Sequence, residues 1–161
     1  MKSLIPPIVS AAIAGFGAMA CITLLAYLEH FDTSIVWLMA PFGATMVILF
    51  GLPSSPLAQP RNILLGHLIT SIVGVVILHN FGVTPLSLGL AVGLGVFLML
   101  MTKTTHPPAG ANPLVIMLTG QSWQFLVFPV GVGALAILGF GLLYHRLISR
   151  HEYPAATRAH S

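Results

Sequence analysis

Charge is what this sequence has least of: six Lys and Arg and three Asp and Glu in 161 residues, 6% of the chain. Soluble domains carry about 25% charged residues, so too few are present to build a water-exposed surface. With 57% hydrophobic residues, the composition places the chain in a lipid bilayer. Cysteine is nearly absent too. Cys21 stands alone in an apolar run, which excludes an internal disulfide and a cysteine metal cluster, and it reads as a small hydrophobe. The three acids form no catalytic pair, and no nucleophile–base arrangement, phosphate loop or basic–aromatic patch stands out. Catalysis therefore has no candidate constellation, and none of the sequence asks for a cofactor or nucleic acid.

Long hydrophobic runs are what is present. Residues 7–28, 62–80, 85–102 and 125–145 are each long enough for ~30 Å of hydrocarbon at ~1.5 Å per residue. The first has no clear cleavage site and is expected to be a retained span rather than a signal peptide. Two shorter apolar stretches, 35–51 and 109–120, contain or follow Pro and Gly. If both cross and the N-terminus is cytoplasmic, Lys2, Arg61, Lys103, Arg146, Arg150 and Arg158 all lie inside, with Glu29 and Asp32 outside. If neither crosses, Arg61 and Lys103 move to the external face. The positive-inside bias thus favours six crossings of a cell (inner) membrane with both termini cytoplasmic. One transmembrane domain, 1–150, and a polar cytoplasmic tail, 151–161, are expected.

A weak internal repeat divides that domain at about residues 5–82 and 83–148. "PIVSAAIAGFG" (7–17) matches "PLSLGLAVGLG" (85–95) at Pro, Gly and Gly, and "PFGATMVILFG" (41–51) resembles "PAGANPLVIMLTG" (108–120). Each half reads as long helix, Pro/Gly-broken segment with a half-helix, long helix. Three crossings per half give the halves opposite orientations, as in many transporters. The expected fold is therefore all-α, a polytopic bundle of two inverted repeats.

The broken segments carry the chemistry. Pro41 and Gly43 are expected to interrupt one helix, and Pro107, Pro108 and Gly110 another, so that half-helices start inside the membrane from about Gly43 and Ala109. Their first amides lack intrahelical partners and carry partial positive charge, which favours an anion. Gly43, Ala44, Ala109, Gly110 and Ala111 allow close approach to the backbone. Thr45 and Asn112 occupy matching places and offer donors, and His106 can bond an anion, carry a proton or cap the broken backbone. His67, inside the third run with Thr70 and Ser71 nearby, is an intramembrane histidine and so a candidate for function or for a helix–helix hydrogen bond. Gln59, Arg61, Asn62 and Lys103 are placed at the cytoplasmic entrance, where they can attract anions or anchor to lipid. His30, His79, His145, His151 and His160 fall at run ends or in the tail without ligand spacing, so no metal centre is expected. Gly89, Gly93, Gly95, Gly131, Gly133, Gly139 and Gly141 suit close helix packing, part of it in a homo-oligomer.

The stretches "APFGATMVILFG", "SPLAQPRNILLGH" and "THPPAGANPL" together resemble the HPP family of membrane proteins, named for the motif found here as His106-Pro107-Pro108. The likeness runs from about residue 8 to 145. The family is described with four transmembrane helices, to which the broken segments would be additions. Some bacterial members carry regulatory domains after the membrane part, where this sequence has a short polar tail. Cyanobacterial and chloroplast members are linked to nitrite transport. The resemblance therefore implies nitrite as substrate, and carries over Pro41, Gly43, Gln59, Pro60, Arg61, Asn62, Gly66, His67, His106, Pro107, Pro108, Gly110 and Ala111 as motif positions. The residues alone lead to a transporter or channel for a small monovalent anion, with a non-transporting scaffold or assembly subunit and a histidine-based proton or cation pathway as the alternatives.

Overall fold

The computed structural model describes residues 6–31, 33 and 36–155. Lys2, Asp32, Arg158 and His160, part of the charge and histidine inventory above, lie outside the described residues. The architecture is all-α, with no strand among the described residues. Among the described residues six α-helices follow in order: α1 Pro7–Phe31, α2 Ala40–Gly51, α3 Pro60–Phe81, α4 Pro85–Met101, α5 Asn112–Thr119 and α6 Val132–Tyr144. Short 3-10 turns at Pro56–Ala58 and Pro107–Ala111 precede α3 and α5. π-helical turns, Leu126–Gly131 and His145–Ser149, flank α6.

Three of these units are long and apolar enough to cross a bilayer: Pro7–Phe31, Pro60–Phe81 and the kinked run Leu126–Ser149. The sequence suggested four. The difference is α4, whose 17 residues rise ~26 Å, the lower limit for a crossing. It stops at Lys103, which adopts φ +55°, a conformation no α-helix continues, and the following Thr104 amide turns back onto the Met99 carbonyl. The third span bends where Phe128 leaves helical geometry (φ −128°, ψ 127°) ahead of Pro129, the extended conformation a following proline imposes.

The proline-broken segments become short helices, in a different manner from the one expected. Pro41 does not interrupt α2 but starts it: the chain is extended at Met39, and the helix begins at Ala40 with Pro41 in the first turn, where its missing N–H costs nothing. Gly43 is simply part of that helix. In the second half, Pro107 and Pro108 give a 3-10 turn, and the α-helix begins only at Asn112, three residues beyond Ala109, with Pro113 in its first turn. At 12 and 8 residues the two helices rise only ~18 Å and ~12 Å. The element order long–short–long recurs in both halves.

α3 is the central helix, its faces packed on α4, α5 and the 107–111 turn. α1 is peripheral: Ile8, Phe16, Met19, Leu24 and Tyr27 face outward, as a lipid-facing surface requires. The main apolar core joins Cys21 and Leu25 of α1, Phe42, Met46 and Leu49 of α2, and Ala134, Ile137 and Tyr144 of α6. A smaller one unites Val73 and Ile77 of α3 with Ala91 and Met117. Of the seven small-residue positions expected to pack closely, Gly95, Gly131, Gly133 and Gly141 do so, whereas a side chain at Gly89, Gly93 or Gly139 would meet nothing within 4 Å.

Candidate functional site

Between these apolar cores lies a buried polar cluster drawn from four parts of the chain. Thr45 of α2, His67 of α3, His106 of the loop before the 3-10 turn and Asn112 of α5 are each 0% exposed. The Thr45 hydroxyl sits 3.0 Å from His67 Nε2 and 3.0 Å from His106 Nε2, and 3.2 Å from the Pro41 carbonyl one turn back. On the far side of His67, the Asn112 amide nitrogen lies 3.0 Å from Nδ1 and donates to Ser71 Oγ at 2.9 Å and to the His67 carbonyl at 3.1 Å. His106 Nδ1 lies 2.8 Å from the Leu57 carbonyl.

The hydrogen positions follow from the partners. A carbonyl only accepts, so His106 Nδ1 carries a hydrogen and donates it to Leu57. In a neutral ring Nε2 is then an acceptor, and it must receive the Thr45 hydrogen. Thr45 Oγ can in turn accept from His67 Nε2–H, which leaves His67 Nδ1 an acceptor facing the Asn112 amide, whose two N–H groups are shared among Nδ1, Ser71 Oγ and the His67 carbonyl. The order Asn112, His67, Thr45, His106, Leu57 carbonyl is thus a single-direction chain of hydrogen bonds. Among the described residues, every buried side-chain nitrogen and oxygen has a partner, as a bilayer interior demands.

Packing holds the two rings in place. A Cβ on Gly66 would lie 2.9 Å from His106 Cβ and 3.1 Å from the Thr104 carbonyl, so only glycine lets the 104–106 segment lie against α3. Phe42 meets His67 edge to face at a centroid separation of 5.3 Å. It can do so because position 133 is glycine, where a Cβ would come within 2.7 Å of the Phe42 ring.

The remaining predicted positions divide into two groups. Gly43, Ala44 and Ala111 are exposed and Gly110 is half-buried, while Ala109 is buried; they border the cluster without entering its hydrogen bonds. The entrance residues act as brackets for loops. Gln59 donates to the Pro53 and Ser55 carbonyls and accepts from the Ala155 amide, Arg61 donates to the Thr102 carbonyl, and Asn62 to the Thr105 carbonyl. Lys103 is exposed. Asn62 and Arg61 therefore pin the segment that carries His106 against the start of α3.

Three features carried no sequence signal. The carbonyls of Leu57 and Pro41 fix the proton arrangement of the cluster, and main-chain acceptors are invisible in residue types. Glu29 accepts from the amides of Trp37 and Leu38 at 2.9 and 3.0 Å, so a carboxylate already occupies the amides just before α2. His145, grouped in the sequence with terminal histidines, is buried; it bonds the Leu49 carbonyl at 3.0 Å and Ser149 Oγ at 2.7 Å. Below it Tyr153, outside the spans, donates to the Ala58 carbonyl, and burial pushes its phenol pKa upward.

Comparison with known proteins agrees with this arrangement of motifs. The family model described as "HPP, transmembrane region" matches residues 4–154. Two curated proteins of Dictyostelium discoideum, each named only as a transmembrane protein, are 35% and 33% identical over 150 residues, 88% of this chain. The match covers 53% of one and 48% of the other, so the chain spans about half the length of these relatives. No solved structure matches. On this evidence the chain is an integral membrane protein that belongs to the HPP transmembrane family.

Proposed function

We propose that the protein moves a small monovalent anion, with nitrite the leading substrate by family resemblance, past the Thr45–His67–His106–Asn112 cluster. One observation carries this reading. Thr45 and Asn112, which align in the two Pro-x-Gly-Ala sequence motifs although Thr45 is the sixth residue of α2 and Asn112 the first of α5, hold opposite nitrogens of the same buried imidazole. Polar groups inside a membrane protein are costly and mark pathways for polar solutes. Here they gather close to the starts of two helices whose first turns contain proline. Neither short helix reaches across the bilayer alone, which suits a site between two inverted halves better than six plain crossings.

The cluster is closed on itself, and the anion enters by taking the Thr45 and Asn112 donors in place of imidazole nitrogen. The backbone at Gly43, Ala44, Ala109, Gly110 and Ala111 supplies a lining without bulky side chains. Gln59, Arg61, Asn62 and Lys103 belong to the inner entrance, on the side of both termini in a cell (inner) membrane. The open glycine faces at 89, 93 and 139 serve a homo-oligomer.

Purified protein in liposomes should take up nitrite faster than protein-free vesicles, and Asn112→Leu should reduce uptake about tenfold, the equivalent of one lost hydrogen bond to a charged group. Equal rates with and without protein would rule the transport reading out and leave the scaffold role.

A further inference from the structure

Two imidazoles face a single hydroxyl in the interior: His67 Nε2 and His106 Nε2 are each 3.0 Å from Thr45 Oγ, with ring centroids 5.0 Å apart. Thr45 Oγ accepts from one ring and donates to the other, and its hydrogen has a second acceptor within reach, the Pro41 carbonyl at 3.2 Å one turn back, so the hydroxyl can accommodate a change in the protonation of either ring. We infer that this Thr45-bridged pair binds one proton for each anion moved, so that the protein is an electroneutral proton–anion symporter. This rests on the anion-transport reading above and names its coupling ion.

The proton step requires no other reactant. In the neutral cluster, Thr45 accepts from His67 Nε2–H and donates to His106 Nε2. When a proton arrives at His106 Nε2, both rings donate to Thr45 Oγ, and the hydroxyl hydrogen is freed to turn to the arriving anion, or to the Pro41 carbonyl until the anion is there. One N–H bond forms, no heavy-atom bond changes, and the cluster gains one positive charge beside the arriving negative one. Loss of the proton on the other side reverses each change. The hydroxyl thus reports occupancy between a loop (His106), the central helix (His67) and a short helix (Thr45), elements that must shift if the site is to open to alternate sides.

Among the described residues, no other ionisable group contacts the pair. Its contacts are Thr45 and Phe42 from α2, Asn112 from α5 and the Leu57 carbonyl. The cationic side chains on these elements, Arg61 and Lys103, are exposed, as is His79 at the far end of α3. An uncompensated charge in this apolar setting is costly, which ties proton binding to anion binding.

The test uses the full chain in vesicles loaded with a pH-sensitive dye, following nitrite chemically and lumenal pH together. Protein-free vesicles set the background of nitrous acid crossing lipid unaided. The expected result is one proton per nitrite above that background, uptake driven by an inward proton gradient, and no response to membrane potential. Thr45→Val should slow gradient-driven uptake about tenfold or more by removing a charge-assisted hydrogen bond, and Thr45→Ser should restore it, which separates the hydroxyl from folding. Nitrite uptake that follows membrane potential and leaves lumenal pH unchanged overturns the symport while keeping anion transport. Absence of nitrite uptake overturns both.

Discussion

Gly43 and Gly66 show how one residue type takes opposite roles around a single site. At Gly66 the space is already filled by His106 Cβ and the Thr104 carbonyl. Gly66→Ala must push the 104–106 segment outward and should destabilise the protein by about 1–3 kcal/mol, as overpacking does; a lower melting midpoint in detergent reads this. At Gly43 a Cβ meets nothing within 4 Å, and the residue is inside a helix, where alanine is better than glycine by about 0.5–1 kcal/mol. Gly43→Ala should therefore raise the melting midpoint and yet slow nitrite flux, because a methyl group would obstruct approach to the backbone. Unchanged flux in this variant would remove the α2 backbone from the pathway.

The C-terminus of the short helix α2 is completed by a side chain from elsewhere in the chain. The last carbonyls of a helix lack intrahelical partners, and at the α2 C-terminus the Leu49 carbonyl is met by His145 from beyond α6. His145→Phe keeps the bulk and strands that carbonyl, so it should cost about 1–3 kcal/mol, measured as a lower thermal midpoint with the helix content unchanged. This contact also marks where sequence reasoning stops. The segments themselves were legible because apolar run length and proline are local properties: the long helices and both short ones were expected near their observed places. Helix starts were less so, since Pro41 at a first turn and Pro41 as a breaker look alike until the preceding residue's backbone is known. In the cluster, Thr45, Asn112, His67 and His106 were each visible as polar residues in apolar surroundings. Their mutual contact was not, because it depends on how α2, α3 and α5 pack. His145 was missed because its partner is a main-chain carbonyl.

Across the whole molecule the arrangement predicts a sidedness. α5 is eight residues long, and in the inverted-repeat arrangement proposed above, it and its 3-10 lead carry the chain from one face of the membrane to the other. In a Cys21→Ala background, single cysteines in place of the exposed Lys103 and Ser122 should react with an impermeant thiol reagent from opposite sides of the membrane. Labelling of both from one side would make 107–120 a re-entrant loop. The chain's relatives are about twice as long over their full extent, so these measurements describe the shared membrane unit. Its central claim is that an anion binds at the buried junction of two proline-started helices. Crystals of the protein grown with bromide, a monovalent anion located by its anomalous scattering, test it most directly. The account predicts a peak within hydrogen-bonding distance of the Thr45 hydroxyl or the Asn112 side-chain amide; peaks only at Lys103, Arg61 or other surface cations would contradict it.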